Sequence, residues 1–291
     1  MDAAAPEQTH APRASWACPS CGVSRTTAFC SACGERPIAP RDLTLHGIIA
    51  LTFAALSPVD GRVLRTLRAL VTRPGSLTAA FQRGLRKPYV GPLQIFLLAN
   101  LFFFAVQTAG RMNVFTRPLA RWLSEDELGS SFSRGLVEKH LTNIGQTVAQ
   151  YAPFFDQAVA VNAKSLVGLM VPIFALLISV VFWRRTQPLA VNFVFSLHFY
   201  AVVLLLFCVP LIGMEISPLL GGPAVPSSLM DDAFSVTILF GCIGYLYAAI
   251  GPVYGATGWL RIVQAFTLTV AAAGILLVYR ILLLPITLYT T

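Results

Sequence analysis

The sequence is poor in charged residues. Asp, Glu, Lys and Arg together make up 12% of its 291 residues, whereas soluble globular proteins contain roughly 25%. Several apolar runs of about 20 residues are long enough to cross the hydrocarbon core of a bilayer. The scarcity of charge therefore excludes an ordinary soluble protein. It predicts an all-α polytopic membrane protein with about five transmembrane helices.

The sequence also lacks the common catalytic motifs. It contains no GxSxG, P-loop or HExxH motif and no pair of carboxylates within an apolar run. Neither a nucleophile nor an acid–base pair is therefore evident. These absences favour a non-enzymatic function and leave a membrane enzyme as the weaker alternative.

Four of the six cysteines form two C-x-x-C pairs near the N-terminus, separated by eight residues. The pairs are Cys18 with Cys21 and Cys30 with Cys33. Two chelating pairs, each followed by a glycine that allows a tight turn, are typical of a closed tetrahedral Zn²⁺ site. About twenty residues cannot form a core alone, so the metal would supply the folding energy and be structural. Two disulfides are the alternative, and they would require an oxidising compartment.

The apolar runs divide the chain into an N-terminal soluble part and a membrane part. Residues 1–15 lack the apolar segment of a signal peptide, and we expect a disordered tail there. The other predicted regions are a zinc ribbon at 16–36, cytoplasmic amphipathic or interfacial helices at 37–89, and a membrane domain at 90–291. The predicted spans are 90–109, 165–183, 189–212, 233–254 and 262–284.

Three segments outside these spans have helical patterns. Residues 43–56 are too short for an ordinary span, so we interpret them as an interfacial or packed helix, with insertion as the alternative. Residues 58–72 form a basic amphipathic helix, which lies on the membrane surface or packs on the membrane domain. Its basic residues are Arg62, Arg65 and Arg68. Apolar residues at spacings of three and four predict one further amphipathic helix over residues 137–151 of a long outer loop.

Basic residues in the short loops predict the orientation of the chain. Arg184 and Arg185 follow the second span, and Arg261 lies between the fourth and fifth. The loop at 213–232 contains no Lys or Arg. The loops obey the positive-inside rule if the N-terminus is cytoplasmic. That orientation places the cysteine pairs in a reducing compartment and favours zinc over disulfides.

Two polar residues within the predicted spans, His198 and Asn100, are candidates for an intramembrane function. A polar side chain in lipid is costly unless it is hydrogen-bonded, so such residues often have a specific role. A structural hydrogen bond to a neighbouring helix is the alternative.

Basic residues also cluster where the chain enters the first span. The candidate binding residues are Arg73, Arg83, Arg86, Lys87 and Tyr89. Guanidinium groups bind phosphate oxygens in pairs, so an anionic phospholipid headgroup of the cytoplasmic leaflet, or a small anion, is the candidate ligand. Simple positive-inside anchoring is the alternative. Nucleic acid is not indicated, because only three basic residues occur from Trp16 to Arg41.

Five stretches of the chain occur in a characteristic order. They are the double C-x-x-C ribbon, VDGRVLRTLRALVTRPG, RGLRKPYVGPLQIFLLANLFFF, NFVFSLHFY and YGATGWLR. Together they resemble the bacterial family of zinc-ribbon membrane proteins catalogued as domain of unknown function 3667. The resemblance implies a bacterial inner-membrane protein and brings no activity with it. Residues 190–193 depart from the family by being less polar, which weakens a catalytic interpretation of the third span.

We therefore expect a scaffold, assembly or adaptor protein that displays a structural zinc ribbon in the cytoplasm and binds a protein partner through it. The alternative is a transporter or lipid-handling protein that binds an anion at the inner membrane surface, with His198 in a cavity between spans. A protein neighbour that depends on the ribbon would indicate the first function. A ligand whose retention requires Arg86 or His198 would indicate the second.

Overall fold

A computed structural model describes residues 15–35, 44, 61–110, 118–124, 130–185, 187–219 and 227–291. The predicted tail and the segment at 43–56 lie outside the described residues, apart from Ser15 and Thr44. Over the described residues the regular secondary structure is helical except for one small sheet near the N-terminus.

The N-terminal ribbon is built on a two-stranded antiparallel sheet. Strand β1 spans Trp16–Ala17 and strand β2 spans Ser24–Arg25. In this sheet Trp16 pairs with Arg25, and Ala17 pairs with Ser24. Two strands of this length have no stability of their own, so their arrangement depends on the cysteine turns that they connect.

Two short helices lie between the ribbon and the first span in the part of this segment that the structure describes. Helix α1 spans Gly61–Thr72 and helix α2 spans Ser76–Gln82. The turn between them contains Gly75 at φ 79°, a left-handed conformation that glycine adopts readily. A Cβ on Gly75 would lie 2.4 Å from the carbonyl oxygen of Ala249. The glycine therefore lets this turn press directly on the backbone of a membrane helix.

Six longer helices and one short one make up the rest of the described chain. They are α3 Pro92–Ala109, α4 Leu119–Trp122, α5 Ser130–Ile144, α6 Val148–Val181, α7 Leu189–Leu219, α8 Ser227–Tyr254 and α9 Gly258–Thr290. A 3₁₀ turn at Trp183–Arg185 joins α6 to α7.

Four of the described helices, α3, α7, α8 and α9, are long and apolar enough to cross a membrane. Helix α6 is bent by 41° between Lys164 and Leu166. It makes a fifth span if its two halves are counted together. The predicted all-α polytopic membrane fold is thus confirmed. Helix α7 is the centre of the bundle: 72% of its apolar stretch is buried, against 28–33% in the other three.

The core between the spans is rich in phenylalanine. Phe103, Phe155 and Phe195 are fully buried on α3, α6 and α7. The ring of Phe174 on α6 stacks on Phe199 of α7 with centroids 4.8 Å apart. In lipid no hydrophobic effect drives helices together, so their association depends on packing. Aromatic pairs such as this one strengthen that packing.

Helix α2 is buried in this bundle rather than lying on its surface. Leu77, Thr78, Ala80 and Phe81 are buried, and α2 contacts both α7 and α8. Helix α1 packs on α2, α3 and α7 through its buried residues Thr66 and Leu70. The basic helix that the sequence predicted therefore packs on the protein's own membrane domain along one face, and it exposes Leu64, Arg68 and Val71 on the other.

The prediction of a single helix over residues 137–151 is wrong. Helix α5 ends at Ile144, Gly145 turns with φ 66°, and α6 begins at Val148. The backbone N–H of Thr147 donates to the side-chain oxygen of Gln150 at 3.0 Å, which caps the new helix. The apolar spacing runs across the break through Ile144 and Val148, although both side chains are exposed, and the periodicity conceals the turn.

Candidate metal centre and its junction with the membrane domain

The four N-terminal cysteines converge. Their sulfur atoms all lie within 4.8 Å of one another. The Cys18–Cys33, Cys21–Cys30 and Cys21–Cys33 sulfur distances are 3.4, 3.5 and 3.9 Å. A tetrahedral metal with bonds of about 2.3 Å to sulfur requires sulfurs roughly 3.8 Å apart, whereas a disulfide requires about 2.05 Å. The cluster therefore has the spacing of a ligand set and could hold one metal ion.

Two equivalent turns build the cluster. In the first, the N–H of Cys18 donates to Val23 O at 3.0 Å and the N–H of Gly22 donates to Cys18 O at 2.8 Å. The second repeats both bonds twelve residues later, at 2.6 Å each. Its donors are Cys30 and Gly34, and its acceptors are Glu35 O and Cys30 O. The two glycines have φ of 75° and 70°, so glycine is needed at both positions to turn the second ligand of each pair inward.

The environment of the thiols favours a bound cation. Burial raises the pKa of Cys30, but hydrogen bonds from the backbone of Cys33 and Ala32 outweigh it and lower the pKa to about 6. A backbone hydrogen bond at Glu35 lowers the pKa of Cys33, yet burial and the three neighbouring sulfurs raise it to about 12. One thiolate is thus stabilised by the turn itself. The full set of four needs a positive ion at its centre.

Glu35 joins this cluster to the membrane domain. Its side chain is 3% exposed, and its Oε2 accepts hydrogen bonds from Ser20 Oγ at 2.8 Å and from the backbone N–H of Lys87 at 3.3 Å. The Lys87 ammonium lies over Gly34, 3.2 Å from where a Cβ would be. We call Ser20, Gly34, Glu35 and Lys87 the docking junction. Through it the second cysteine turn rests on the segment that leads into the first span.

Helix α1 holds the same segment from another side. Arg65 Nη1 donates to Pro88 O at 3.3 Å, and the N–H of Val90 donates to Thr66 Oγ1 at 3.0 Å. Gly91 then caps α3, with its N–H donating to Gln94 Oε1 at 3.1 Å. The residues between Gly84 and Gly91 are therefore fixed by the ribbon, by α1 and by the start of the first span.

The predicted anion-binding residues lie in different surroundings. Arg73 and Arg83 are exposed, and Tyr89 is half-buried against the core. The guanidinium of Arg86 lies 5.4 Å from the centroid of the Phe81 ring, while Lys87 belongs to the docking junction. The described contacts of Arg86 and Lys87 are thus made with different parts of the structure, the Phe81 ring and the second cysteine turn.

His198 is buried in α7, and its Nδ1 lies 2.9 Å from Thr78 Oγ1. This hydrogen bond joins α7 to α2 across 120 positions of sequence. The second intramembrane candidate, Asn100, is half-buried on α3. The partner of His198 was missed, because nothing in the sequence distinguishes Thr78 from the other threonines of the juxtamembrane segment.

A second polar network joins α6, α7 and α8. Asn192 donates to Ser179 Oγ at 2.8 Å and accepts from the Tyr254 hydroxyl at 2.8 Å. The Tyr254 ring also stacks on Phe182 with centroids 4.1 Å apart. Each polar atom of the Asn192 side chain thus has a partner on a neighbouring helix, which is the structural use of an amide in lipid.

Two further contacts bring three loops to the same end of the bundle. Arg185 donates to Gly255 O at 3.4 Å, which joins the α6–α7 connection to the α8–α9 connection. Gln82, at the end of α2, donates to Gln187 Oε1 at 3.2 Å and to Val253 O at 3.4 Å. The juxtamembrane segment and these two short connections therefore share one end of the molecule.

Comparison with known proteins finds a family match over one part of this architecture. No curated protein and no solved structure matches the chain. The model of the family described as Protein of unknown function (DUF3667) matches residues 60–104. These residues contain α1, α2, the segment that carries Lys87 and most of α3. The match confirms, over the segment that joins the ribbon to the bundle, the resemblance of this chain to the DUF3667 family.

Proposed function

We propose that this protein is a membrane scaffold or adaptor that displays a structural zinc ribbon at the cytoplasmic face of a bacterial inner membrane. The observation that carries the proposal is the docking junction. Because Glu35 fixes the ribbon to the Lys87 backbone, the ribbon has a defined position on the membrane domain. A defined position is what a docking platform requires.

The donor set supports zinc as the metal. Four thiolates in tetrahedral spacing suit Zn²⁺, which accepts soft sulfur ligands and has no preference for planar geometry. All four positions come from the protein, so no coordination site is left for a substrate. The metal would stabilise the ribbon and take no part in a reaction.

The outer surface of the ribbon supports a protein partner. Phe29 is 61% exposed and Val23 is 41% exposed. The loop that carries Phe29 is held by bonds from Thr27 Oγ1 to Phe29 O at 2.6 Å and from Trp16 Nε1 to Thr27 O at 2.8 Å. An exposed aromatic side chain on an ordered loop costs little entropy to bury, which makes it a suitable anchor for a partner.

The loop arrangement supports the cytoplasmic placement of the ribbon. Arg184 and Arg185 of the α6–α7 connection, and Arg261 in the first turn of α9, lie at the end of the bundle where α2 ends. Exposed Trp183 and Trp259 occur at the same helix ends, as expected for an interfacial aromatic belt. By the positive-inside rule this end faces the cytoplasm, and the ribbon with it.

The surroundings of His198 favour a scaffold over a transporter. Its imidazole is bonded to Thr78 and closely packed. An apolar cavity of about 350 Å³ lies between α6 and α9, and its lining does not include His198. A transported anion would find an almost wholly apolar lining there, and the one hydroxyl in it, that of Tyr279, already donates to Ala163 O at 2.8 Å.

The test combines metal analysis with site-specific crosslinking in intact membranes. Native mass spectrometry should find one Zn²⁺ per chain, and none in a Cys18→Ser/Cys21→Ser variant. A photoreactive amino acid at position 29 should crosslink to one defined protein, and the adduct should disappear in that cysteine variant. Phe29→Ala should also lose this protein on purification, while Ser31→Ala, a change on the same ribbon, should keep it. Identical neighbours with and without the metal would contradict the proposal.

A further inference from the structure

The face of α1 that points away from the bundle has two kinds of exposed residue. Leu64 is 74% exposed and Val71 is 59% exposed, and Arg65 and Arg68 are exposed beside them. The four positions fall within about a third of the helix circumference. Thr66 and Leu70 occupy the opposite, buried face.

Contacts near the start of the first span fix the depth of α1 relative to the bilayer. The N–H of Val90 donates to Thr66 Oγ1 at 3.0 Å, and α3 begins two residues later at Pro92. Further along α3, the exposed side chains of Leu97 and Leu101 face the surroundings of a membrane span. Helix α1 therefore lies where the chain enters the bilayer, beside the headgroup region.

The exposed side chains of α1 suit a position beside the headgroup region. Leucine and valine exposed to water are unfavourable, whereas at the acyl boundary they are solvated by lipid. Arginine can extend its apolar stem along the same boundary and place its guanidinium on phosphate oxygens. An anionic leaflet also attracts such basic residues through its surface potential.

We propose that the outer face of α1, formed by Leu64, Arg65, Arg68 and Val71, is an interfacial binding site for anionic phospholipids. Leu64 and Val71 enter the boundary of the acyl chains, and the two arginines bind headgroup phosphates. The site does not include the cysteines or the docking junction. A test of this lipid site can therefore succeed or fail independently of the scaffold proposal.

The first experiment measures lipid retention. The full-length protein is placed in nanodiscs that contain phosphatidylcholine and phosphatidylglycerol, and native mass spectrometry counts the lipids that stay bound. The wild type should retain phosphatidylglycerol in preference. Arg68→Gln should weaken this retention about fivefold, and Arg65→Gln/Arg68→Gln should weaken it by about fivefold for each arginine removed.

The matched control is Arg184→Gln, which removes another exposed arginine at the same end of the bundle. This variant should retain phosphatidylglycerol like the wild type. Because Arg65 also bonds Pro88 O, Arg68→Gln alone provides the variant that leaves this contact intact. Equal losses in Arg68→Gln and Arg184→Gln, or no loss in Arg68→Gln, would overturn the site.

The second experiment identifies the occupant of the apolar part of the face. A photoreactive amino acid replaces Leu64 in intact membranes, and the adduct is analysed by mass. An adduct with a phospholipid acyl chain supports the site. An adduct with a protein means that a partner covers this face, and it would overturn the proposal.

Discussion

The ribbon and the membrane bundle have opposite sources of stability. Within residues 15–35 the buried side chains are Cys18, Cys30 and Glu35, so this region has no apolar core. The bundle buries large aromatic residues such as Phe155 and Phe174 completely. If the four cysteines hold a metal, we expect the ribbon to fold only when the metal is bound, whereas the bundle folds through packing and interhelical hydrogen bonds.

The sharpest way to test this difference is to remove the metal. In Cys18→Ser/Cys21→Ser we expect complete loss of bound metal and full amide hydrogen exchange over residues 16–35, because residues 15–35 have no apolar core to hold the ribbon together. The helices of the bundle should keep the exchange protection of the wild type. Hydrogen exchange followed by mass spectrometry measures both regions in one sample.

Cys208→Ser/Cys242→Ser is the control for that experiment. Both thiols are buried in the bundle, and this variant should keep its metal and its ordered ribbon. Loss of protection throughout the bundle when the ribbon cysteines are replaced would show that the two regions fold as one unit.

The second prediction concerns the bundle alone. Gly75→Ala should destabilise it by about 3 kcal/mol, because a Cβ would meet the Ala249 carbonyl at 2.4 Å and φ is 79°. Gly244→Ala is the matched change, since a Cβ there has no neighbour within 4 Å and alanine favours a helix by about 0.8 kcal/mol. Thermal unfolding in detergent measures both. Equal melting temperatures for the two variants would mean that α2 is not seated on α8.

The same two regions show what could be predicted from the sequence. Two C-x-x-C pairs predict the convergence of four cysteines through local spacing, and long apolar runs predict the spans through composition. Neither signal describes where α2 lies. Its burial depends on Gly75 against Ala249 and on Thr78 against His198, which are contacts between residues far apart in sequence.

The sequence did not predict the role of Glu35, for a related reason. A glutamate directly after the second cysteine turn looks like an ordinary solvated residue, and its acceptor role becomes visible only when Ser20 and the Lys87 backbone are brought to it. The helix break at Gly145 was missed because apolar periodicity continues on both sides of it. Local patterns thus predicted the elements and the ligand set, while the junction depended on the tertiary fold.

The third prediction tests the polar contact that holds α2 in the bundle. His198→Ala should cost about 2 kcal/mol, because it leaves Thr78 buried without its partner. Thr78→Val should cost about 1 kcal/mol, and the double variant should cost less than the sum. Thr72→Val is the control, since that threonine is exposed and bonds only its own helix at Arg68 O in the described contacts. Strictly additive losses in stability would show that the two side chains are not coupled.

The smallest effect is expected at the contact that joins the two regions. Glu35→Ala removes the acceptor of Ser20 and of the Lys87 N–H, at a cost of about 1 kcal/mol. The variant should keep its metal and the melting temperature of the bundle, while exchange at the Lys87 amide becomes faster. Glu138→Ala, an exposed glutamate on α5, should change none of these quantities.

Metal removal from the wild type tests whether Glu35 is the contact through which the ribbon acts on the bundle. If the ribbon acts on the bundle through Glu35, removal of the metal should expose the Lys87 amide as much as Glu35→Ala does. It should then have no further effect on that amide in the Glu35→Ala variant. Metal-dependent protection of Lys87 that persists without the carboxylate would mean that another contact docks the ribbon, and the Lys87 ammonium over Gly34 would be the next to test. Loss of protection that follows the carboxylate alone would show that two regions with separate sources of stability are joined by one buried side chain.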